Sequence, residues 1–142
     1  MSNTTFPPRI KRRSDVLYHL LAARFPSGNV VYPPCEIDPA TGETNPELIR
    51  LPKTGTVIAD TVQRIVPSWM GLNGPYHVVI IECDDDKRTR LMGQLTGADA
   101  EVDYTGWRVQ ARFRRINSNG PAGAIIYGFK WEPMVGPAFM QT

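Results

Sequence analysis

Five runs of β-branched and aromatic residues, separated by turn-forming residues, dominate the second part of the chain. Such residues favour strands, and short runs between turn signals are typical of small antiparallel domains. Five strands in so short a stretch are enough to close a small barrel. The runs are residues 54–66, 76–84, 89–96, 107–116 and 124–131.

The fourth run has the clearest strand pattern, because apolar and polar residues alternate along it. A period of two places one set on the core and the other set on the outside of a sheet. The apolar set is Trp107, Val109, Ala111 and Phe113, and the outer set is Arg108, Gln110, Arg112 and Arg114. The fifth run repeats this alternation. Residues 84–87 (DDDK) form a polar turn that joins the second and third runs as a hairpin.

The predicted fold class is therefore mainly β, with an N-terminal helix. A five-stranded barrel of the oligonucleotide/oligosaccharide-binding (OB) type fits residues 53–133, with residues 97–106 crossing between the third and fourth strands. A small sandwich is the competing architecture.

The N-terminal residues have a different character. A polar stretch with four clustered cations is typical of a flexible or partner-ordered arm. The cations are Arg9, Lys11, Arg12 and Arg13. Ser14 is a good N-cap, and the apolar residues after it recur at helical spacing, which predicts a helix that ends before Pro26. These apolar residues are Val16, Leu17, Leu20 and Leu21. Residues 1–24 are thus predicted to form a basic arm and a helix.

Composition limits the classes of protein that the chain can represent. With 142 residues and 42% hydrophobic content, it can bury one core but not two. A net charge of +2 gives little support to nucleic-acid binding, and no apolar run is long enough to cross a membrane. Two cysteines 48 positions apart, Cys35 and Cys83, fit a reducing compartment. We expect a cytoplasmic protein without a membrane partner.

Several landmarks in the barrel segment suggest a family. They are TGTV at residues 54–57, PY at 75–76, GWRV at 106–109 and YGFKWEP at 127–133. In this order and spacing, the segment resembles the OB domain of the acyl-CoA-associated zinc-ribbon/OB-fold proteins, long catalogued as a domain of unknown function.

The preceding segment extends the resemblance. Members of that family usually carry a rubredoxin-like ribbon, in which C-x-x-C-G precedes an aromatic residue and two prolines, and C-P-x-C-G follows. Residues 25–52 resemble this ribbon in a degenerate form, since the register places Arg24, Ser27, Asp38 and Thr41 at the four ligand positions. Zinc is not expected there, because a structural site needs four good donors. A metal-free ribbon must then be held by burial of Val30, Val31, Tyr32 and Ile37, and the alternative is a turn-rich loop without regular ladders.

The resemblance implies a non-catalytic accessory subunit that bridges or stabilises a thiolase-like or other acyl-CoA-processing enzyme in a hetero-oligomer. The catalytic residues then belong to the partner. The sequence itself offers no catalytic motif, since His19, His77 and Cys35 have no recognisable nucleophile or base at a meaningful spacing. No tightly bound cofactor is expected beyond possible contact with the CoA thioester.

The outer strand face supplies the candidate binding residues. Guanidinium and ammonium groups beside aromatic rings suit the phosphates and adenine of CoA. The candidates are Arg108, Arg112, Arg114 and Lys130, with Trp131 or Trp69 for stacking. A partner-facing or solvated surface is the alternative, and a single-stranded nucleic-acid-binding OB protein is the rival function. The apolar residues 134–142 form a predicted tail that docks on a partner or covers the barrel mouth.

Overall fold

The computed structural model describes residues 19–66, 74–118 and 125–135, with backbone only for 115–118 and 125–127. These residues form two antiparallel sheets. The first contains β1 (Leu21–Arg24), β2 (Val30–Val31) and β3 (Glu47–Arg50). The second contains β4 (Thr54–Gln63), β5 (Tyr76–Cys83), β6 (Arg90–Gln94), β7 (Arg108–Ser118) and β8 (Ile125–Val135).

The second sheet is the predicted barrel. Its strand order is β6-β5-β4-β7-β8, and the two outermost strands meet through a parallel bridge between Leu95 and Trp131. The amide of Thr96 donates to the carbonyl of Trp131 across this seam, at 2.8 Å. Because the sheet closes on itself, the prediction of an OB-type barrel is confirmed, and the competing prediction of a small sandwich is wrong.

The five predicted runs and the five barrel strands coincide closely. In β7 the alternation holds for Val109 and Ala111, which are buried, and for Arg112, which is exposed. Phe113 was predicted on the core face but is 41% exposed, because this end of β7 pairs with β8 and not with β4. The hairpin between β5 and β6 is also confirmed, and Asp85 stabilises it by accepting bonds from the amide and hydroxyl of Thr89, at 2.7 and 2.5 Å. One difference is that β8 runs on to Val135, so the first two residues of the predicted tail belong to a strand. Residues 136–142 lie outside the described residues.

The first sheet corrects the N-terminal prediction. Residues 21–24 are a strand that pairs with both β2 and β3, and not the end of a helix. Leu20 has a positive φ of 48°, which a helix does not accommodate. A short apolar run is compatible with a buried strand as well as with a helix. Here the pairing with β2 and β3 determines that it forms a strand. His19 has helical geometry, whereas residues 1–18, including the basic arm, lie outside the described residues.

The segment after β1 is also more regular than a loop held by contacts alone. Val30 and Tyr32 pack against the hydrophobic core, as predicted. Ile37, which was predicted to be buried with them, is 60% exposed, and its neighbour Asp38 is only 1% exposed. Burial of a carboxylate requires hydrogen-bond partners, and these are described below.

The two sheets share one hydrophobic core. Leu20, Ala22 and Leu51 from the region of the first sheet belong to the same buried cluster as Val57 and Trp131 of the barrel. The amide of Leu51 donates to the carbonyl of Leu20 at 3.1 Å, just before the chain enters the barrel. The small sheet is therefore packed onto the barrel by apolar contact.

Trp131 has the largest of the fully buried side chains among the described residues, with 1% of its surface exposed. Its indole lies over Gly93 of β6. A Cβ atom at Gly93 would come within 2.7 Å of Trp131 Cδ1 and 2.9 Å of Nε1. Only a residue without a side chain leaves room for the indole at this position.

We predict that Gly93→Ala lowers the free energy of unfolding by about 1–3 kcal/mol, because the added methyl group overpacks the barrel against Trp131. Urea denaturation measures this change. Met92→Ala on the same strand is the control, since Met92 is 70% exposed, and its effect should stay within about 0.5 kcal/mol. Equal stability of Gly93→Ala and the wild type would contradict the packing described for the barrel.

Candidate functional site

The predicted cationic face lies on the outside of β7 and β8. Arg112 pairs with Lys130 and Arg114 with Gly128 across the two strands, so the structure brings these cations onto one face. A register shift between Arg108 and Val109 separates Arg108 from this group along β7. How far each cation is available to a ligand depends on its own partners.

Arg108 is held by the hairpin turn after β5. Its guanidinium donates both terminal nitrogens to the carboxylate of Asp84, with Nη1 to Oδ1 at 2.7 Å, and Nη1 also donates to Thr56 Oγ1 at 3.0 Å. Thr54 Oγ1 donates to the same carboxylate at 2.6 Å. The bond from Arg108 lowers the pKa of Asp84 to about 2, and Asp84 raises the pKa of Arg108. This bidentate pair ties β4, β7 and the turn together, so Arg108 is part of the structure of the barrel.

The other cations of the face differ in their exposure. Arg112 Nε donates to Glu132 Oε2 at 2.7 Å across the strand pair. Lys130 is buried, with 7% of its surface exposed. Arg114 is exposed, and its guanidinium donates to the carbonyl of Phe113 at 3.2 Å, with no carboxylate partner among the described residues. Arg114 is therefore the predicted cation that is best placed to meet a ligand or partner.

The aromatic part of the predicted site is not formed as expected. Trp131 was predicted to stack on an adenine or a base, but its indole is buried in the barrel and cannot do so. The prediction failed because the core of the barrel needs one large side chain opposite Gly93, and the sequence pattern does not show which aromatic residue fills that place. Trp69 lies outside the described residues. The described aromatic residues thus give no support to a stacking platform at Trp131, whether for CoA or for nucleic acid.

The structure reveals an exposed apolar surface that we did not predict from the sequence. Ala59, Ile80 and Met92 lie side by side on the outer face of three neighbouring strands, through the pairs Ala59–Ile80 and Ile80–Met92. Ile80 is 37% and Met92 70% exposed. We call these three residues the apolar row. Beside it, Glu82 and Arg90 form a polar margin, with Arg90 Nε 3.5 Å from Glu82 Oε2.

A sequence signal for the apolar row existed in β5. The run VVII at residues 78–81 is apolar at four successive positions, so both faces of the strand carry apolar side chains. A strand with only one face on a core alternates instead, as β7 does. Val79 and Ile81 fill the core, and Ile80 is left on the outer face. An apolar outer face of this kind is typical of a surface that another protein covers.

His77 belongs to a buried hydrogen-bond network rather than to a catalytic arrangement. Its Nδ1 lies 2.7 Å from Asp60 Oδ1, and its Nε2 lies 2.8 Å from the carbonyl oxygen of Asp99. The carbonyl of Asp99 can only accept, so Nε2 donates to it, while the carboxyl group of Asp60 lies against Nδ1. The amide of Tyr104 donates to Asp60 Oδ2 at 2.9 Å, and the Tyr104 hydroxyl accepts from the amide of Asp99 at 2.8 Å. Both ring nitrogens are therefore occupied by structural bonds.

The two cysteines also lack the environment of a nucleophile. Burial raises the pKa of Cys83 to about 12, so its thiol stays protonated. Cys35 is partly exposed, and its thiol donates to the carbonyl of Ile37 at 3.2 Å. An open depression of about 230 Å³ lies between Asp60 and residues 100–103. It is too small and too open to enclose a CoA thioester.

Residues 19–66, 74–118 and 125–135 contain no group of three or more His, Cys, Asp or Glu side chains that could hold a metal ion. The same residues contain no helix that is long and apolar enough to span a membrane.

A closed five-stranded barrel preceded by a small three-stranded sheet defines an OB-fold protein with an N-terminal sheet module. A family model described as the C-terminal OB-fold domain of ChsH2 matches residues 49–114. A DUF35 domain-containing scaffold protein of Methanocaldococcus jannaschii is 35% identical over 108 residues, which are 75% of each chain. The chain therefore belongs to the DUF35 family, and the resemblance seen in the sequence is confirmed.

Further comparisons agree with this assignment. A second DUF35 domain-containing scaffold protein, from Pyrococcus furiosus, is 27% identical over 118 residues, or 83% of this chain and 85% of that protein. Among solved structures, a chain of the Ltp2-ChsH2(DUF35) aldolase is similar, with a TM-score of 0.64 and 89% of each chain covered. At 20% sequence identity, this last match establishes the similarity of the fold alone.

We predict a pH dependence from the pair of Asp84 and Arg108. The pKa of Asp84 is about 2 in the folded protein and ordinarily near 3.8, so the contribution of this carboxylate to stability is complete above about pH 5 and is lost as the pH falls towards 2. The stability difference between the wild type and Asp84→Asn should therefore shrink between pH 5 and about pH 2.5. Urea denaturation at several pH values measures it. Asp86→Asn, in the same exposed turn, is the control, and a pH-independent difference for Asp84→Asn would contradict the assigned role.

The network around His77 gives a second prediction. Asp60→Asn replaces a carboxyl group that is 3% exposed and can place an amide donor opposite the backbone amide of Tyr104, so the free energy of unfolding should fall by about 1–3 kcal/mol. Asp99→Asn is the matched control, because the carbonyl of Asp99 and not its side chain contacts His77. Denaturation of both variants measures the difference. Similar losses in both would show that the carboxylate of Asp60 has no special role.

Proposed function

We propose that this protein is a non-catalytic accessory subunit that scaffolds a thiolase-like or other acyl-CoA-processing enzyme. The observation that carries the proposal is the match to scaffold proteins of the same family, which extends over three quarters of both chains at 35% identity. Because the match covers 75% of this chain and 75% of that protein, we infer a shared mode of assembly.

The barrel surface supports assembly with another protein. The apolar row exposes Ile80 and Met92 side by side on the barrel exterior, and the charged side chains of Glu82 and Arg90 lie next to it. An apolar centre with a polar margin is the usual composition of a protein–protein interface. We propose that the partner enzyme covers the apolar row.

The identity of the partner rests on similarity. The solved structure of similar fold is described as an aldolase that joins Ltp2 to ChsH2(DUF35). That name associates a DUF35 chain with a second component of an enzyme. For this chain, we propose a thiolase-like partner because of the resemblance to acyl-CoA-associated proteins, and the catalytic residues would belong to that partner.

Contact with CoA is a narrower part of the proposal. Of the predicted set, Arg108 and Arg112 are occupied by Asp84 and Glu132. Arg114 remains exposed and positively charged, so it is the residue that we propose for contact with a phosphate of CoA in the assembled complex. Trp131 is no longer part of the proposed contact.

The test is co-expression with candidate thiolase-like and other acyl-CoA enzymes, followed by native mass spectrometry. The wild type should form a hetero-oligomer, whereas Ile80→Glu and Met92→Glu should weaken it about tenfold or more, because each places a charge in an apolar interface. Both positions are exposed, so the fold should survive the substitutions.

Leu48→Glu is the matched control. Leu48 is 61% exposed on β3, in the other sheet, and its substitution should leave the affinity unchanged. A chain that stays monomeric with every candidate enzyme and leaves their activities unchanged would overturn the proposed function. Equal weakening by all three substitutions would overturn the proposed interface.

A further inference from the structure

Two turns that each contain a glycine face each other before the barrel. The first lies at residues 24–28 and the second at 38–42, and each has a glycine in its fifth place with a positive φ, of 92° at Gly28 and 76° at Gly42. Each glycine amide donates within its own turn at 2.8 Å, Gly28 to the carbonyl of Phe25 and Gly42 to that of Asp38. This conformation favours glycine, so the spacing of the two glycines preserves the frame of a two-knuckle ribbon.

The residues at the four ligand positions of this frame do not fit a zinc ion. Arg24 is a cation, and its guanidinium donates to Glu47 at 2.8 Å. Ser27 and Thr41 offer hydroxyl groups, which are poor zinc ligands, and only Asp38 carries a credible donor. A structural zinc site requires four thiolate, imidazole or carboxylate ligands in a tetrahedral arrangement. The ribbon that the family resemblance implies therefore has to be held together in another way.

The carboxylate of Asp38 makes the connection between the two turns. It is buried, with 1% exposed, and its Oδ2 accepts from Asn29 Nδ2 at 2.6 Å. Asn29 directly follows Gly28, so this bond crosses from the first turn to the second. Within its own turn, Asp38 also accepts from the amide of Ala40 and the hydroxyl of Thr41, both at 2.9 Å. These bonds, that from Asn29 first, hold the pKa of Asp38 below its usual range.

A second bond crosses in the other direction. Glu43 directly follows Gly42, as Asn29 follows Gly28, and its Oε2 accepts from the backbone amide of Ser27 at 3.0 Å. The residue after each glycine thus reaches the opposite turn. The amide of Asp38 donates to the carbonyl of Glu43 at 3.0 Å and closes the second turn at its base.

We propose that these hydrogen bonds take over the cross-linking role of a structural zinc ion, so that the ribbon of this protein folds without metal. We call the set of Asn29, Asp38, Thr41 and Glu43 the carboxylate clasp. Like a tetrahedral metal site, the carboxylate clasp joins two glycine-containing turns at one point. Unlike a zinc–thiolate site, it contains no metal ion that a chelator can remove. It also contains no thiol that an oxidant can convert to a disulfide.

The carboxylate clasp also affects the barrel. Gly28 lies against Lys87 in the turn between β5 and β6, since a Cβ atom at Gly28 would be 3.5 Å from Lys87 Nζ. Phe25, in the same turn as Gly28, is buried with 2% exposed. By fixing the first turn, the clasp holds the small sheet in its place on the barrel. Its loss should therefore lower the stability of the whole chain.

The first experiment combines metal analysis with thermal unfolding of the purified full-length protein. The wild type should contain no stoichiometric zinc and should keep its Tm in excess EDTA. Asp38→Asn places an amide donor opposite Asn29 Nδ2 and should lower the Tm by about 5 °C or more. Asp103→Asn is the matched control, because Asp103 accepts from the amide and hydroxyl of nearby Thr105, at 3.0 and 2.8 Å, within its own turn. Stoichiometric zinc with a loss of Tm in EDTA would overturn the proposal, as would equal effects of the two substitutions.

Asn29→Ala keeps the proposal falsifiable if Asp38→Asn fails to fold. It removes the bond between the turns without placing a new group beside Asp38. It should lower the Tm by at least about half of the decrease expected for Asp38→Asn. An Asn29→Ala protein with the Tm of the wild type would contradict a linking role for this bond.

The second experiment restores the ligands. The combined substitutions Arg24→Cys, Ser27→Cys, Asp38→Cys and Thr41→Cys should produce a chain that binds one equivalent of zinc and gains thermal stability with it. Cobalt substitution, followed by absorption spectroscopy, would show tetrahedral thiolate coordination. A variant that does not bind zinc, whether folded or not, would contradict the ribbon register. Both experiments use the isolated chain, so their outcome is independent of the proposed partner.

Discussion

The packing of Trp131 over Gly93 closes the barrel, and much of the structure depends on it. The carbonyl of Trp131 accepts from the amide of Thr96, and the backbone of Trp131 forms a bridge with Leu95. β8 therefore meets the end of β6 at the point where the indole enters the core. The same buried cluster includes Leu20, Ala22 and Leu51, through which the small sheet is attached. A change at this seam would therefore affect both the closure of the barrel and the packing of the small N-terminal sheet on it.

The sequence predicted the barrel well because strand periodicity and turn chemistry are local properties. The alternation in β7 and the turn at Asp85 were sufficient for that part. It did not predict β1, because residues 21–24 are short and apolar, and such a run fits a helix or a strand until its pairing partners are known. It also misplaced Trp131, since the choice of the aromatic residue that fills a core depends on a glycine almost 40 residues away.

The candidate site shows the same limit. The cations of β7 could be read from the sequence, but their carboxylate partners could not, because Asp84 and Glu132 come from other strands and turns. Once these pairs are formed, little of the predicted positive face remains for a phosphate. The exposed pair of Ile80 and Met92 forms an apolar surface that water solvates poorly. The chemistry of the surface thus fits contact with a protein better than contact with an anionic ligand.

A scaffold role of this kind predicts which side chains become covered when the complex forms. Met92 is 70% and Met134 42% exposed, so oxidation of these two thioethers can be followed by mass spectrometry in the free chain and in the assembled complex. We expect assembly with the partner enzyme to slow the oxidation of Met92 several-fold more than that of Met134. Oxidation of Met92 at the same rate in the complex and in the free chain would contradict an interface at the apolar row.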